Sequence, residues 1–301
     1  MTKGDGDVST DRFLCVGAAH WDVIGRASRC IRHGEDLPGS IIRRPGGVAY
    51  NIAIALARAG CAAALCAVVG DDDEGVELLQ IVNSRGVNTE GAVRSSAVRT
   101  GAYVAVEDGV GELVAAVVDG RAAQAPAEAE KLLANASTSL GRSDVVVIDA
   151  NLPETIILAL AHRCLEAGVS MVLNPVSHAL AGRLAGAISP PFLPTVVASR
   201  SEAEVLTGLS FSSAKEAAIA LRRCGARTAL VTDGAGVVAL AHGHGVAVAL
   251  PEPIETSTTT GAGDALLAGY LSFARREEDP VRALQHGLAA ARQYLLGAPS
   301  W

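Results

Sequence analysis

Asp144-Val145-Val146-Val147-Ile148-Asp149 is a short apolar run, followed by a helical stretch from Glu154 to Ala167 and then by Ser170-Met171-Val172-Leu173-Asn174. Strand, helix and strand in that order predict a βαβ unit, which joins parallel strands through a covering helix. The same rhythm extends in both directions along the chain. Further strands are expected at Phe13 to Ala18, Ala63 to Val69, Thr195 to Ser199 and Arg227 to Thr232, with helices at Val48 to Ala59 and Ala214 to Arg223. The expected fold is therefore α/β, a doubly wound and mostly parallel sheet flanked by helices. In such sheets ligands bind beyond the carboxyl ends of the strands.

Two stretches break the rhythm. Gly101 to Glu107 and Glu112 to Asp119 are strand-like and flank Asp108-Gly109-Val110-Gly111, a good hairpin turn. Trp21 to Arg44 is poor in helix formers and interrupted by Gly25, Gly34, Pro38 and Gly39. Together they predict a small antiparallel sheet inserted in pieces, at about 21–44 and 98–120, as a lid on the α/β body. The 301 residues allow two domains or one large one. With no linker or repeat in view, one domain with an inserted lid is the simpler reading.

Composition narrows the function. Half the residues are hydrophobic but only 3% are aromatic, which argues against disorder and against an aromatic platform for single-stranded nucleic acid. The 25 basic residues against 32 acidic ones leave a net charge of −7 with no basic block, which disfavours nucleic-acid or anionic-membrane partners. No apolar run is long enough to predict a membrane span, and the polar, acidic stretch Met1 to Arg12 does not resemble a targeting peptide. The six cysteines form no CxxC pair and sit mostly in apolar stretches, as expected of buried, reduced thiols in a cytoplasmic protein. The only lysines are Lys3, Lys131 and Lys215, so phosphate chemistry would fall to backbone amides, Arg or a metal.

The segment Thr258-Thr259-Thr260-Gly261-Ala262-Gly263-Asp264 runs into an apolar helix. Its small residues admit close backbone approach, and the unpaired amides of a helix start favour an anion. Asp264 is open to two readings there, as a helix cap or as a proton acceptor. A second glycine-led helix start is Gly46-Gly47-Val48-Ala49-Tyr50-Asn51, either a turn or a binding surface for a polyhydroxyl ligand.

In this combination and order, the two helix starts resemble those of the ribokinase-like (PfkB) family of carbohydrate and nucleoside kinases, along nearly the whole chain. The resemblance implies that Asp264 is the general base, and that the amides of Gly261, Ala262 and Gly263 form an anion hole for the transferred phosphoryl group. It implies that Asp22, Gly46, Gly47 and Asn51 hold substrate hydroxyls. Ser199 and Glu202 match the family's N-x-x-E motif, with Glu202 organising Mg²⁺, and Thr232, Gly234 and Gly236 match a turn bordering ATP. The strings Val16 to Asp22, Leu37 to Ile41, Asp149 to Pro153 and Asn174 to Ser177 resemble the pseudouridine-kinase branch more than the ribokinase branch. Phosphorylation of a nucleoside 5′-hydroxyl is thus implied, with another sugar or nucleoside, or a silent nucleoside-binding protein, as alternatives.

Four positions depart from the family pattern. Tyr50, Leu180, Ser199 and Thr258 stand where an Arg, Lys, Asn and Asp are usual, and Thr258 leaves a monovalent-cation (K⁺) site without its usual carboxylate. The resemblance further implies a homodimer through the lid, whose exposed strand edge gives a physical reason for pairing.

Several other features have plainer readings. His242-Gly243-His244 is expected to be an exposed turn rather than a metal site, and Asp71-Asp72-Asp73-Glu74 a solvated helix start. Trp21 is expected to pack. Asp149 and Asn151 are equally suited to ligand contact or to satisfying local backbone.

Overall fold

In the strand Arg12–Val16, Phe13 and Cys15 face one way and Leu14 and Val16 the other, and all four are buried. Each pair belongs to a different apolar cluster, because successive side chains of a strand point to opposite faces. Val145 and Val147 divide from Val146 and Ile148 in the same way. Burial on both faces explains why these strands read as unbroken apolar runs.

The structure is a computed structural model that describes residues 12–254, 260–274 and 279–297. Among these, the main sheet has nine strands in the spatial order Gly245–Ala249, Val238–His242, Thr228–Thr232, Thr195–Ser199, Ser170–Asn174, Val145–Asp149, Arg12–Val16, Ala62–Cys66 and Val87–Asn88. The first three are joined antiparallel and the rest run parallel. Helices Val48–Arg58, Asp73–Ser84, Ala262–Ala274 and Pro280–Leu295 pack on one face, and Pro126–Leu140, Glu154–Ala167, Arg200–Thr207 and Ala214–Cys224 on the other. The expected α/β fold is present, a mostly parallel sheet flanked by helices on both faces. None of the described helices is long and apolar enough to cross a membrane.

Two expectations need correction. Ala63 to Val69 is not one strand: Ala62–Cys66 lies in the main sheet, while Val68–Gly70 leaves it to pair with Val93–Ser95. Because both pieces are buried, the apolar pattern carries no mark of the break. The small sheet, in the order Gly39–Gly46, His20–Ala27, Ala102–Glu107 and Leu113–Asp119, is mixed rather than antiparallel. Its outer pairs are antiparallel, but His20–Ala27 runs parallel to Ala102–Glu107, with Asp22 opposite Tyr103. Local turn signals describe each excursion alone; the seam between them is a long-range pairing. At the hairpin tip the Asp108 carboxylate accepts the amides of Val110 and Glu112 at 2.9 Å each.

Four of the cysteines are buried, as expected, and burial pushes the Cys66 and Cys164 thiols up to about 12. Cys30 and Cys224 are exposed instead. Trp21 is buried, donating to the Glu74 carbonyl at 3.0 Å beneath the Arg43 guanidinium.

Candidate active site

The sheet changes direction of growth between Arg12–Val16 and Val145–Asp149. From the first strand the chain moves to Ala62–Cys66 on one side; from the second it moves to Ser170–Asn174 on the other. A crevice opens beyond the carboxyl ends at such a point. Asp149 ends its strand there, 1% exposed. Its carboxylate accepts the amides of Ala18 at 2.9 Å, Ala49 at 3.0 Å and Asn151 at 2.9 Å. Burial pushes this carboxyl above its ordinary range, against the lowering effect of those amides. Of its two readings, the structure assigns Asp149 to the backbone: it ties the end of one strand to the start of the helix Val48–Arg58.

That helix opens at Gly47, whose φ of +103° suits glycine and whose Cβ would lie 2.4 Å from the Ala18 carbonyl oxygen. Gly46 is equally constrained, since a Cβ there would lie 2.3 Å from the Asp22 carboxylate. Asp22 sits within the strand His20–Ala27 of the small sheet. Its oxygens lie 3.3 Å from His20 Nδ1 and 3.6 Å from Arg44 Nε. The His20 nitrogen is buried and off the hydrogen-bond direction, so it has no hydrogen bond among the described residues. Tyr50 turns away from the crevice. It is fully buried, and its hydroxyl accepts from Arg85 at 2.5 Å, so the departure at this position concerns packing.

Asn51, one residue on, points into the crevice and donates through Nδ2 to Asp264 Oδ2 at 2.8 Å. Asp264 lies in the first turn of Ala262–Ala274 and is 9% exposed. Burial raises its carboxyl from 3.8 to about 7; the Asn51 hydrogen bond opposes this, and the charges of Asp149, Glu202 and Asp22 add to it. The bond joins the two helix starts across 213 residues of sequence. Gly261 has φ +90°, and the space beside Gly263 is open. Thr258 and Thr259 lie outside the described residues.

A cavity of about 850 Å³ joins these groups. Asp22, Gly47 and Asn51 line it with Gly261, Gly263 and Asp264, and Ser199, Glu202 and Thr232 line it further along. Ser199 and Glu202 form a capping box on Arg200–Thr207, with Glu202 Oε2 accepting the Ser199 amide at 2.7 Å. Gly46 supports Asp22 from behind. Ala262, Gly234 and Gly236 are not on the wall; the last two shape the turn between Thr228–Thr232 and Val238–His242. His20, Tyr103, Arg121 and Arg183 are on the wall and escape the motif reading, although His20 stands two residues before Asp22, the spacing that shares a strand face. Among the described residues, no lysine lines the cavity.

The plainer readings hold elsewhere. His242 and His244 flank a tight turn, with the His244 amide donating to His242 Nδ1 at 3.3 Å. Asp72 caps the helix Asp73–Ser84 by accepting the Gly75 amide. Among the described residues, no three His, Cys, Asp or Glu side chains cluster as a metal site of their own.

Residues 10–296 match the pfkB family carbohydrate kinases. The chain is 29% identical over 266 residues to the pseudouridine kinase of Escherichia coli (strain K12), covering 87% of this chain and 83% of that one. It is 30% identical over 307 residues to the ATP-dependent ribose-1-phosphate kinase of Halopiger xanaduensis (strain DSM 18323 / JCM 14033 / SH-6), covering 96% and 95%. A carbohydrate kinase from Agrobacterium tumefaciens superposes with a TM-score of 0.82 at 28% identity, covering 96% of this chain and 92% of that one. The chain belongs to the pfkB family of carbohydrate kinases and is a phosphotransferase with an alcohol group as acceptor.

Proposed function

We propose that the protein phosphorylates the 5′-hydroxyl of pseudouridine with ATP. The observation that carries this reading is the Asn51–Asp264 pair, a buried carboxyl raised to about 7 at the floor of the cavity that also holds Asp22 and the glycine-led helix start. A carboxylate poised near neutral pH suits proton abstraction from an alcohol. Asp22 and Asn51 hold the ribose hydroxyls, and Gly46 keeps Asp22 in place. As the 5′-oxygen bonds to the γ-phosphorus, its proton passes to Asp264 and the bond to the β-phosphate oxygen breaks, releasing ADP. The amides of Gly261 and Gly263, on the cavity wall, face the charge that develops on the transferred group.

The phosphates lie toward Glu202 and Thr232. The Ser199 amide occupies one oxygen of Glu202, and this carboxylate, in a cavity that no described lysine lines, fits a hard cation shared with nucleotide phosphates. Glu202 would hold Mg²⁺ there, and its charge would offset that of the phosphates. The small sheet acts as a lid that excludes water, Tyr103 and Val118 being on its inner face in register with Asp22.

Arg121 on the cavity wall, its guanidinium paired with Asp119, gives one second reading, a phosphorylated sugar such as ribose 1-phosphate that would take over that pairing. ADP release measured with pseudouridine, uridine, adenosine, ribose, fructose 6-phosphate and ribose 1-phosphate decides between the two. Pseudouridine is expected to give the highest kcat/KM. A preference for ribose 1-phosphate overturns the nucleoside assignment, and a melting-temperature rise with no ADP identifies a binding protein. In the same assay Gly46→Ala, which drives a methyl into the Asp22 carboxylate, raises the acceptor KM at least about tenfold.

The outer face of the lid is the surface for a homodimer. Ile41, Val106, Val104 and Val117 are 78%, 40%, 46% and 72% exposed, and strand register places them on the face opposite Asp22. Light scattering is expected to show a dimer that Ile41→Asp with Val117→Asp converts to a monomer. A monomeric wild type rejects this surface.

A further inference from the structure

The helices Ala262–Ala274 and Pro280–Leu295 meet through glycines. A Cβ on Gly269 would lie 2.5 Å from the Ala290 Cβ, and one on Gly287 would lie 2.8 Å from the Leu266 carbonyl oxygen. Close crossing at these two points carries the last turn of the second helix back to the N-terminus of the first. Tyr294 arrives there beside the glycine loop. A Cβ on Gly261 would lie 2.4 Å from the Tyr294 hydroxyl, so the phenol occupies the space that glycine leaves. The Tyr294 hydroxyl donates to the Thr260 carbonyl oxygen at 2.8 Å.

That carbonyl and the Gly261 N–H are the two polar ends of one planar peptide, and in a trans peptide they point in opposite directions. Gly261 at φ +90° has the conformational freedom of glycine and would not fix this plane by itself. Anchoring the oxygen on the side of the second helix therefore sets the direction of the N–H. We propose that Tyr294 is a positioning residue of the phosphoryl-transfer site, aiming the Gly261 amide by holding the carbonyl on the other end of its peptide. The inference rests on the reading that this amide faces the transferred phosphoryl group. Burial raises the Tyr294 phenol above its ordinary range, with the charges of Asp264 and Asp22 adding to it against Arg44, so the hydroxyl keeps its proton at neutral pH.

Tyr294→Phe keeps the ring and removes the donor. In ADP-release kinetics this variant is expected to lose about tenfold in kcat while the KM values for acceptor and ATP move less than about threefold, the mark of an interaction that matters in the transition state. Hydrogen–deuterium exchange on the ligand-free protein is expected to show faster exchange at residues 260–264, with the rest of the chain unchanged. Wild-type kcat in the variant, a change confined to the KM for ATP, or unchanged exchange at 260–264 overturns the proposal. If wild type itself transfers no phosphoryl group, the kinase reading fails separately. The exchange comparison then decides whether Tyr294 holds the loop: local acceleration supports it and no change rejects it.

Discussion

Asp264→Asn is expected to lower kcat by about 10²- to 10⁴-fold, the usual contribution of a positioned general base, with little change in acceptor KM. Asn is close to Asp in shape, and its carbonyl oxygen still accepts from Asn51, so the cavity floor stays intact. A variant that turned over as fast as wild type would remove Asp264 from the mechanism. In wild type the acid limb of kcat/KM is expected near pH 7, because the carboxyl is raised to about that value and must be ionised to accept a proton. Stability moves the other way. The carboxyl titrates near 7 in the folded chain and at an ordinary value of 3.8 outside it, so between those values the folded state holds the extra proton. Its contribution is complete below about pH 4 and is lost as the pH rises toward 7. Thermal melts are therefore expected to match for the two proteins near pH 4 and to favour Asp264→Asn at pH 8. The reverse order would mean that the carboxylate is stabilised, not strained, by its surroundings.

Asp149→Ala is expected to destabilise the protein by about 3 kcal/mol or more, because each buried amide left without an acceptor costs about 1–3 kcal/mol. Three amides lose their partner at once, those of Ala18, Ala49 and Asn151. The tightness of the site adds to the argument: a Cβ on Gly17 would lie 2.2 Å from this carboxylate, so the chain there has been kept bare to admit it. Urea unfolding measures the loss directly, and kcat/KM falls with it because Ala49 lies in the first turn of the helix that carries Asn51. Wild-type stability in Asp149→Ala would show that water or relaxed backbone replaces the carboxylate at no cost.

Much of the fold was legible because its signals are local. Val145 to Ile148 alternate between two apolar layers, and a strand buried on both faces must read as a continuous apolar run. The capping box at Ser199 and Glu202 is equally local, its members three residues apart, although by sequence they are marked only as a family motif. The turn at Asp108 and the helix starts at Gly47 and Gly261 follow from conformations that few residues other than glycine or a short carboxylate support. The break after Cys66 was not legible, since apolar periodicity does not change where a buried strand leaves one sheet for another. Nor was the parallel seam in the small sheet, which joins residue 22 to residue 103.

For the candidate site, residue types and spacing marked two glycine-led helix starts with Asp264 and Asn51 in a chain with almost no lysine, and the family resemblance added Asp22. Tertiary structure decided what each does. It set Asn51 against Asp264 and turned Tyr50 into the core; it gave Asp149 to the backbone and kept Gly234 and Gly236 off the cavity wall. It also brought Tyr294 under Gly261. The physical reason is one of range. Turn conformation and strand alternation depend on neighbours within a few residues, whereas burial, a raised carboxyl and an aimed amide depend on partners that only the closed fold brings within 3 Å.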